Sequence, residues 1–325
     1  MNIKKIGMTA LAASLVSTSV FAGELTATGS ASLTVENYSG VAQNGGIAYS
    51  MADSVTLGGS TELDNGMTVS MSFELDSDNP SGSSYDNKSM TISSDAMGTF
   101  VFAGHGGSSA VSAMDATAAG DIFDGFDGKV GTAESGTAAG DAAMLSTAAG
   151  NNSMLYTLPS MVDGLSLSAS YSPQGSNDES SAAFAGTFTG VEGLSVSYGQ
   201  GTNNSAAGTA NDADVTSMKA SYAVGSFTLA YSDHEYDSAT ATRDQDTTSY
   251  SVAYTVTDGI SVSYGTEEMD SGNSTTDAEY SAIVVAYTTG GLTITAKSEE
   301  GENISYGTGA SEDKDYWGLT LGFAF

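Results

Sequence analysis

From Leu25 onward the chain alternates between apolar and small polar residues. In "LTATGSASLTVE", Leu25, Ala27, Gly29, Ala31, Leu33 and Val35 fall on one side, and Thr26, Thr28, Ser30, Ser32, Thr34 and Glu36 on the other. In "MTVSMSFELD", Met67, Val69, Met71, Phe73 and Leu75 oppose Thr68, Ser70, Ser72, Glu74 and Asp76. The segments "LSLSASY", "FTLAYSDH" and "ISVSYG" repeat the pattern, and the last one, "YWGLTLGFAF", sets Trp317, Leu319, Leu321, Phe323 and Phe325 against Gly318, Thr320, Gly322 and Ala324. A period of two marks strands whose two faces meet different surroundings. The pattern predicts sixteen strands, beginning near Leu25, Ala48, Met67, Lys88, Thr99, Ser153, Leu165, Ser181, Leu194, Asp214, Phe227, Asp246, Ile260, Ala278, Leu292 and Tyr316.

The connections alternate as well. Short turns rich in Gly, Asn and Asp recur at Asp64-Asn65-Gly66, Asp95 to Gly98, Pro159 to Gly164, Val191 to Gly193, Gly225-Ser226, Thr257 to Gly259 and Thr289 to Gly291. These residues tolerate the positive φ that tight hairpins require. Between them lie longer polar stretches, 77–87, 172–181, 200–213, 237–245, 270–277 and 301–314. Short turns on one rim and long loops on the other are the asymmetry of a transmembrane barrel. An even strand count puts both termini on the short-turn rim, so the first strand can pair with the last, which closes the sheet and removes its edges. The expected fold is therefore all-β, an antiparallel transmembrane barrel. A packed sandwich also alternates, but it builds its inner face from large aliphatic residues. The second face here is Ser, Thr, Gly, Ala and acids, which suits a water-filled lumen. Tyr171, Tyr198, Tyr231, Tyr254, Tyr264 and Tyr287 are expected at strand ends as an interfacial girdle.

Composition narrows the partners. Eight Lys and Arg stand against 39 Asp and Glu, a net charge of −31. Nucleic acid is excluded as a partner, because phosphate binding needs clustered bases. The absence of Cys removes disulfides and thiolate metal sites. Residues 1–22 are expected to be a secretory signal peptide. Lys4 and Lys5 precede a modest apolar run, and "VFA" ends on small residues before Gly23. Its removal takes the charge from −31 to −33, since residues 1–22 contain no acid. The barrel is then expected over 23–325.

One connection breaks the rhythm. From His105 to Asn152 the alternation stops for roughly fifty residues, beyond ordinary loop length. Within it Asp115, Asp121, Asp124, Asp127, Glu134 and Asp141 face one base, Lys129, while Phe123 and Phe126 offer anchors against a wall.

At this point the chain resembles a Gram-negative general porin of the sixteen-stranded trimeric type, in particular its alphaproteobacterial branch. The resemblance rests on the signal-like start leading into a first strand and on "GTFVFAGHG" before the long third loop. It rests also on "NNSMLYTLPSMVDGLSLSASYS" after that loop, and on the terminal Phe325. It implies an outer-membrane location in a Gram-negative bacterium and a homotrimer. It further implies that 105–152 folds into the lumen as a constriction loop with Asp115, Asp121, Asp124, Asp127 and Glu134 as its acids. Phe325 would be the signal read by the barrel-assembly machinery.

The chain departs from that family in one respect. Such porins set an arginine cluster across from the acidic loop, whereas the only Arg here is Arg243, in an expected outer loop. The wall bases expected on the lumen side are Lys219 and Lys297, and the same parity collects Glu36, Glu74, Glu267 and His234. A one-sign negative field is expected, and with it a cation-preferring channel for small hydrophilic solutes. Asp121, Asp124 and Asp127 would suit Ca²⁺ as hard oxygen ligands, although a solvated acidic loop is the favoured reading and their spacing is not that of an EF-hand. The acidic outer loops 200–213, 237–245 and 301–314 would either be bridged to lipopolysaccharide phosphates by divalent cations or simply stay hydrated. Catalysis is not expected: His105 and His234 are the only histidines, and neither sits in a nucleophile motif. The alternative class is a secreted, acidic, calcium-dependent β-rich surface or adhesive protein. Its solenoid form would show a fixed repeat length, where this chain shows variable spacing.

Overall fold

A computed structural model describes residues 25–39, 47–76, 87–126, 144–147, 151–173, 180–204, 212–306 and 313–325. The expected signal peptide lies outside the described residues. No described helix is long and apolar enough to cross a membrane.

The sixteen strands are β1 (Leu25–Tyr38), β2 (Ala48–Glu62), β3 (Thr68–Asp76), β4 (Lys88–Ser94), β5 (Gly98–His105), β6 (Ser153–Thr157), β7 (Leu165–Ser172) and β8 (Ser181–Phe188). They continue as β9 (Leu194–Asn203), β10 (Ala213–Val224), β11 (Phe227–Ser238), β12 (Gln245–Thr257), β13 (Ile260–Ser271), β14 (Ala278–Thr289), β15 (Leu292–Glu302) and β16 (Lys314–Ala324). Each pairs antiparallel with its chain neighbours, and β1 pairs with β16, so the sheet is a closed barrel without edges. Closure satisfies the backbone N–H and C=O groups in a solvent that cannot do so, the condition for crossing a bilayer with strands. At the seam Gly29 and Phe325 exchange backbone hydrogen bonds of 2.8 and 3.0 Å, and Thr34 meets Thr320 through their hydroxyls at 2.9 Å.

The short turns form as their residues require. Gly66 at φ +78° closes the β2–β3 turn, with the Asn65 side chain accepting the Met67 N–H at 3.1 Å. The β10–β11 hairpin needs only two residues between Val224 and Phe227, and Gly225 supplies the positive φ, +59°.

Register confirms the faces. Residues directly opposite on neighbouring strands share a face, so Glu36↔Gly318, Gly318↔Lys297 and Tyr38↔Tyr316 all belong to the lumen. Trp317, Leu319, Phe323 and Phe325 point outward and are substantially exposed. The six tyrosines expected as a girdle all take the outward face, but Tyr198, Tyr231 and Tyr264 lie in mid-strand rather than at strand ends. The reason is that the strands run on past the apolar band on the long-loop side. After Tyr231 the outward positions of β11 become Asp233, Glu235 and Asp237. A second aromatic row, Phe227 against Tyr254 (4.8 Å between rings) and Phe323 against Phe325 (5.8 Å), lies nearer the short-turn rim.

Candidate functional site: the in-folded loop and the wall behind it

The segment after β5 enters the barrel. It forms one helical turn, α1 (Ser112–Asp115), then a 3₁₀ turn at Ile122–Phe126, and returns through 144–147 to β6. Asp127, Glu134 and Asp141 lie outside the described residues, as does the side chain of Asp115.

Apolar anchors hold the loop. Phe126 is fully buried and Phe123 nearly so, together with Ile122, against Tyr38, Met269, Tyr280, Ile304 and Tyr316. The Phe126 and Tyr280 rings stand 5.6 Å apart. Burying each phenyl stabilises docking by about 2–3 kcal/mol. A second cluster seats Val111 and Met114 against Ala183, with Leu155 and Ala185 alongside. Lumen-facing aromatics therefore exist. They were legible from strand parity, yet they serve as a seat for the loop rather than as the lining of a path.

The small polar face of the strands has a corresponding use. Ser170, Ser232 and Ser249 accept the backbone N–H groups of Ala110, Ala118 and Ala119 at 2.8–2.9 Å, and Ser251 donates to the Ala118 carbonyl at 2.7 Å. The loop backbone, which has no ladder of its own, is thus satisfied by the wall. Over these strands the expectation of a water-filled lumen is corrected: Ser217, Ser232 and Ser249 are buried under the loop. Glycine makes the approach possible. A Cβ on Gly265 would lie 2.6 Å from the Ala119 Cβ and 3.1 Å from its Cα. Gly265→Leu is expected to lift 117–121 from the wall and alter single-channel conductance. An unchanged conductance would remove this contact from the account.

His234 and Gln245 hold the returning strand of the loop. Nε2 of His234 lies 2.6 Å from the Leu145 carbonyl. A carbonyl only accepts, so Nε2 carries the proton and, in the neutral ring, Nδ1 accepts from the Ser217 hydroxyl. Gln245 accepts the Leu145 N–H at 2.7 Å and donates to the Tyr306 hydroxyl at 3.2 Å. Tyr306, in the outer loop after β15, has its phenol pushed above the ordinary value by burial, more than the Gln245 bond offsets. His234 stands on the lumen face as expected, and its contacts are structural.

The charged residues divide by position. Glu36 accepts from the Tyr316 hydroxyl at 3.2 Å, and Glu74 from the Asn87 amide. Both, with Asp76, stand on the lumen face of β1–β3. Asp124 is exposed and Asp121 half-buried on the loop. Lys297 pairs with buried Glu299 at 2.9 Å and lies 4.9 Å over the Tyr316 ring. Lys219 donates to the Ala116 carbonyl at 2.7 Å. Both expected wall bases therefore face the lumen, and both are engaged. The expectation that wall bases end with these two is corrected: Lys314, read as part of an outer loop, begins β16 and is buried on the lumen face opposite Gly301. Buried Glu267 and Glu299 are acids under the loop, not in the open passage. The expected Ca²⁺ trio is not brought together among the described residues, since Asp127 lies outside them, and no described group of three His, Cys, Asp or Glu side chains is arranged for a metal.

A closed barrel of sixteen strands with a long loop folded against its inner wall defines the class as a transmembrane β-barrel with an in-folded loop. The family profile of Gram-negative porins matches residues 7–291, and the chain belongs to that family. It is an outer-membrane porin. Solved structures agree in fold. A triple mutant of Rhodopseudomonas blastica porin is 14% identical and superposes with a TM-score of 0.65 over 93% of this chain and 100% of its own. A loop-deletion mutant of OmpT, an outer membrane protein of Vibrio cholerae, is 16% identical, with a TM-score of 0.66 over 94% and 100%. OmpF of Salmonella typhi, solved in complex with daunomycin, is 11% identical, with 0.65 over 94% and 98%. No curated protein sequence matches the chain significantly.

Proposed function

We propose that this porin is a general diffusion channel for small hydrophilic solutes that favours cations. The observation that carries this reading is the division of charge. Of the lumen bases Lys219, Lys297 and Lys314, Lys297 is offset by Glu299, while Glu36, Glu74 and Asp76 stand on the β1–β3 wall and the loop bears Asp121 and Asp124, so the acids are in excess. In a narrow pore with low-dielectric walls, unbalanced acids concentrate cations and repel anions. The described loop contacts fall on β6–β16 and the outer end of β1, and Glu74 and Asp76 on β3 lie away from them. Asp115, Asp127 and Glu134 are the further constriction acids that the family likeness supplies. The double variant Glu36→Lys with Glu74→Lys is expected to move the reversal potential in a salt gradient toward or past zero. A reversal potential equal to the parent's would show that these two carboxylates do not face the passage.

The same reading takes the protein as a homotrimer in contact with lipopolysaccharide, assembled through its terminal Phe325. A heat-resistant oligomer of about three times the chain mass in detergent is the expected result, and a monomer would contradict the trimer. The alternative, a secreted calcium-dependent surface protein, requires the mature chain to stay in aqueous solution without detergent.

A further inference from the structure

We infer that Glu267 is the positioning residue of the constriction loop, the wall group that fixes where the loop's acids stand and so sets the bore and its selectivity. The inference rests on the channel reading above. Glu267 lies on the lumen face of β13, between Ser249 and Tyr280 on the flanking strands, and is only 2% exposed. The loop takes up both of its carboxylate oxygens. Oε1 accepts from the Thr117 hydroxyl and Oε2 accepts the Phe123 N–H at 3.0 Å. One buried carboxylate therefore ties together two loop residues that are six positions apart.

The tie extends to the acids of the bore through Thr117. The Thr117 oxygen accepts the N–H of Gly120 at 3.0 Å and of Asp121 at 2.9 Å, while the Asp121 carboxylate accepts the Thr117 N–H at 2.7 Å. A hydroxyl has one proton and two lone pairs. Here both lone pairs close the turn and the proton goes to Glu267. The turn is otherwise unfavourable, because Asp121 is a non-glycine residue held at φ +57°. The acceptor on the wall completes it, and with it the placement of Asp121. Removing Glu267 leaves the Phe123 N–H and the Thr117 hydroxyl without acceptors in a buried setting, which is the costly way to lose a hydrogen bond.

The test uses the full-length porin in planar bilayers, with Glu267→Ala, Glu267→Gln, Thr117→Val and Thr117→Ser. Each charge-assisted bond lost is expected to shift the docked loop roughly 10- to 100-fold toward undocked states. Glu267→Ala and Thr117→Val are expected to show excess open-channel noise, frequent larger-conductance substates and a weakened cation preference. Glu267→Gln keeps one acceptor and falls between. Thr117→Ser keeps the hydroxyl and matches the parent. Heat resistance of the barrel stays at the parent's value in all four, because the strand ladder is untouched. Should Glu267→Ala not assemble, Thr117→Val carries the test with the wall intact. Parent-like noise and selectivity in Thr117→Val and in any Glu267→Ala that assembles, or Thr117→Ser as noisy as Thr117→Val, overturns the inference. A parent protein that fails to conduct, or prefers anions, overturns instead the functional reading on which it rests.

Discussion

Phe126→Ala is expected to widen the channel while leaving the barrel standing. Phe126 is wholly buried between the loop turn and the lumen wall, its ring tilted against Tyr280 and clustered with Met269 and Ile304. Truncating a buried Phe costs about 3–5 kcal/mol. Here that cost falls on loop docking, since Phe126 contributes nothing to the strand ladder. At tenfold per 1.4 kcal/mol, the docked loop loses roughly 100-fold or more of its population advantage. Single-channel recording should then show a larger mean conductance and a faster flux of solutes near the size limit in liposome swelling. Heat resistance of the folded barrel should change little. A conductance identical to the parent's would mean that the loop does not narrow the passage.

The second large effect is expected at the other end of the chain. Phe325→Asp should reduce the amount of porin in the outer membrane at least tenfold, yet refold from denaturant into detergent or lipid almost as well as the parent. The separation follows from magnitude. Phe325 is 66% exposed on the outward face near the short-turn rim, with its ring over Gly29 and stacked on Phe323. A charge near the interface of a barrel costs only about 0–1 kcal/mol, far less than at mid-bilayer. Thermodynamics alone cannot exclude this variant from the membrane, so a severe loss in cells requires recognition of the terminal aromatic during assembly. Equal levels of parent and variant in the outer membrane would reduce Phe325 to a lipid-facing side chain.

The barrel was legible because its information is local. Alternation and turn chemistry placed every strand start within two residues, as with Tyr316 expected and Lys314 found. The end of β5 at His105 and the start of β6 at Ser153 fell where the alternation stops and resumes. What a lumen residue faces is not local. Ser232, Ser249 and Gly265 look the same in sequence whether they meet water or a loop backbone, and only the in-folded segment decides. Tyr38, Tyr280 and Tyr316 sat on lumen parity throughout, but the partner that buries them, Phe123 and Phe126, lies far away in the chain. Lys314 is not legible as a wall base, because it follows a polar stretch and a single base at a strand start carries no alternation of its own. Asp121 is legible in sequence as an acid of the long loop, whereas its backbone geometry and its bond to Thr117 are properties of the folded turn.

The central claim is a pore whose fixed charge is negative because Glu36, Glu74, Asp76, Asp121 and Asp124 outnumber the lumen lysines Lys219, Lys297 and Lys314, of which Lys297 is already paired with Glu299. Zero-current potential across a planar bilayer holding the porin, with a tenfold KCl gradient, measures that charge most directly. The account predicts a potential of the sign set by K⁺ passing faster than Cl⁻, shrinking as total salt rises and screening shortens the reach of Glu36, Glu74, Asp121 and Asp124. A potential of the opposite sign, or one near zero at low salt, would contradict it.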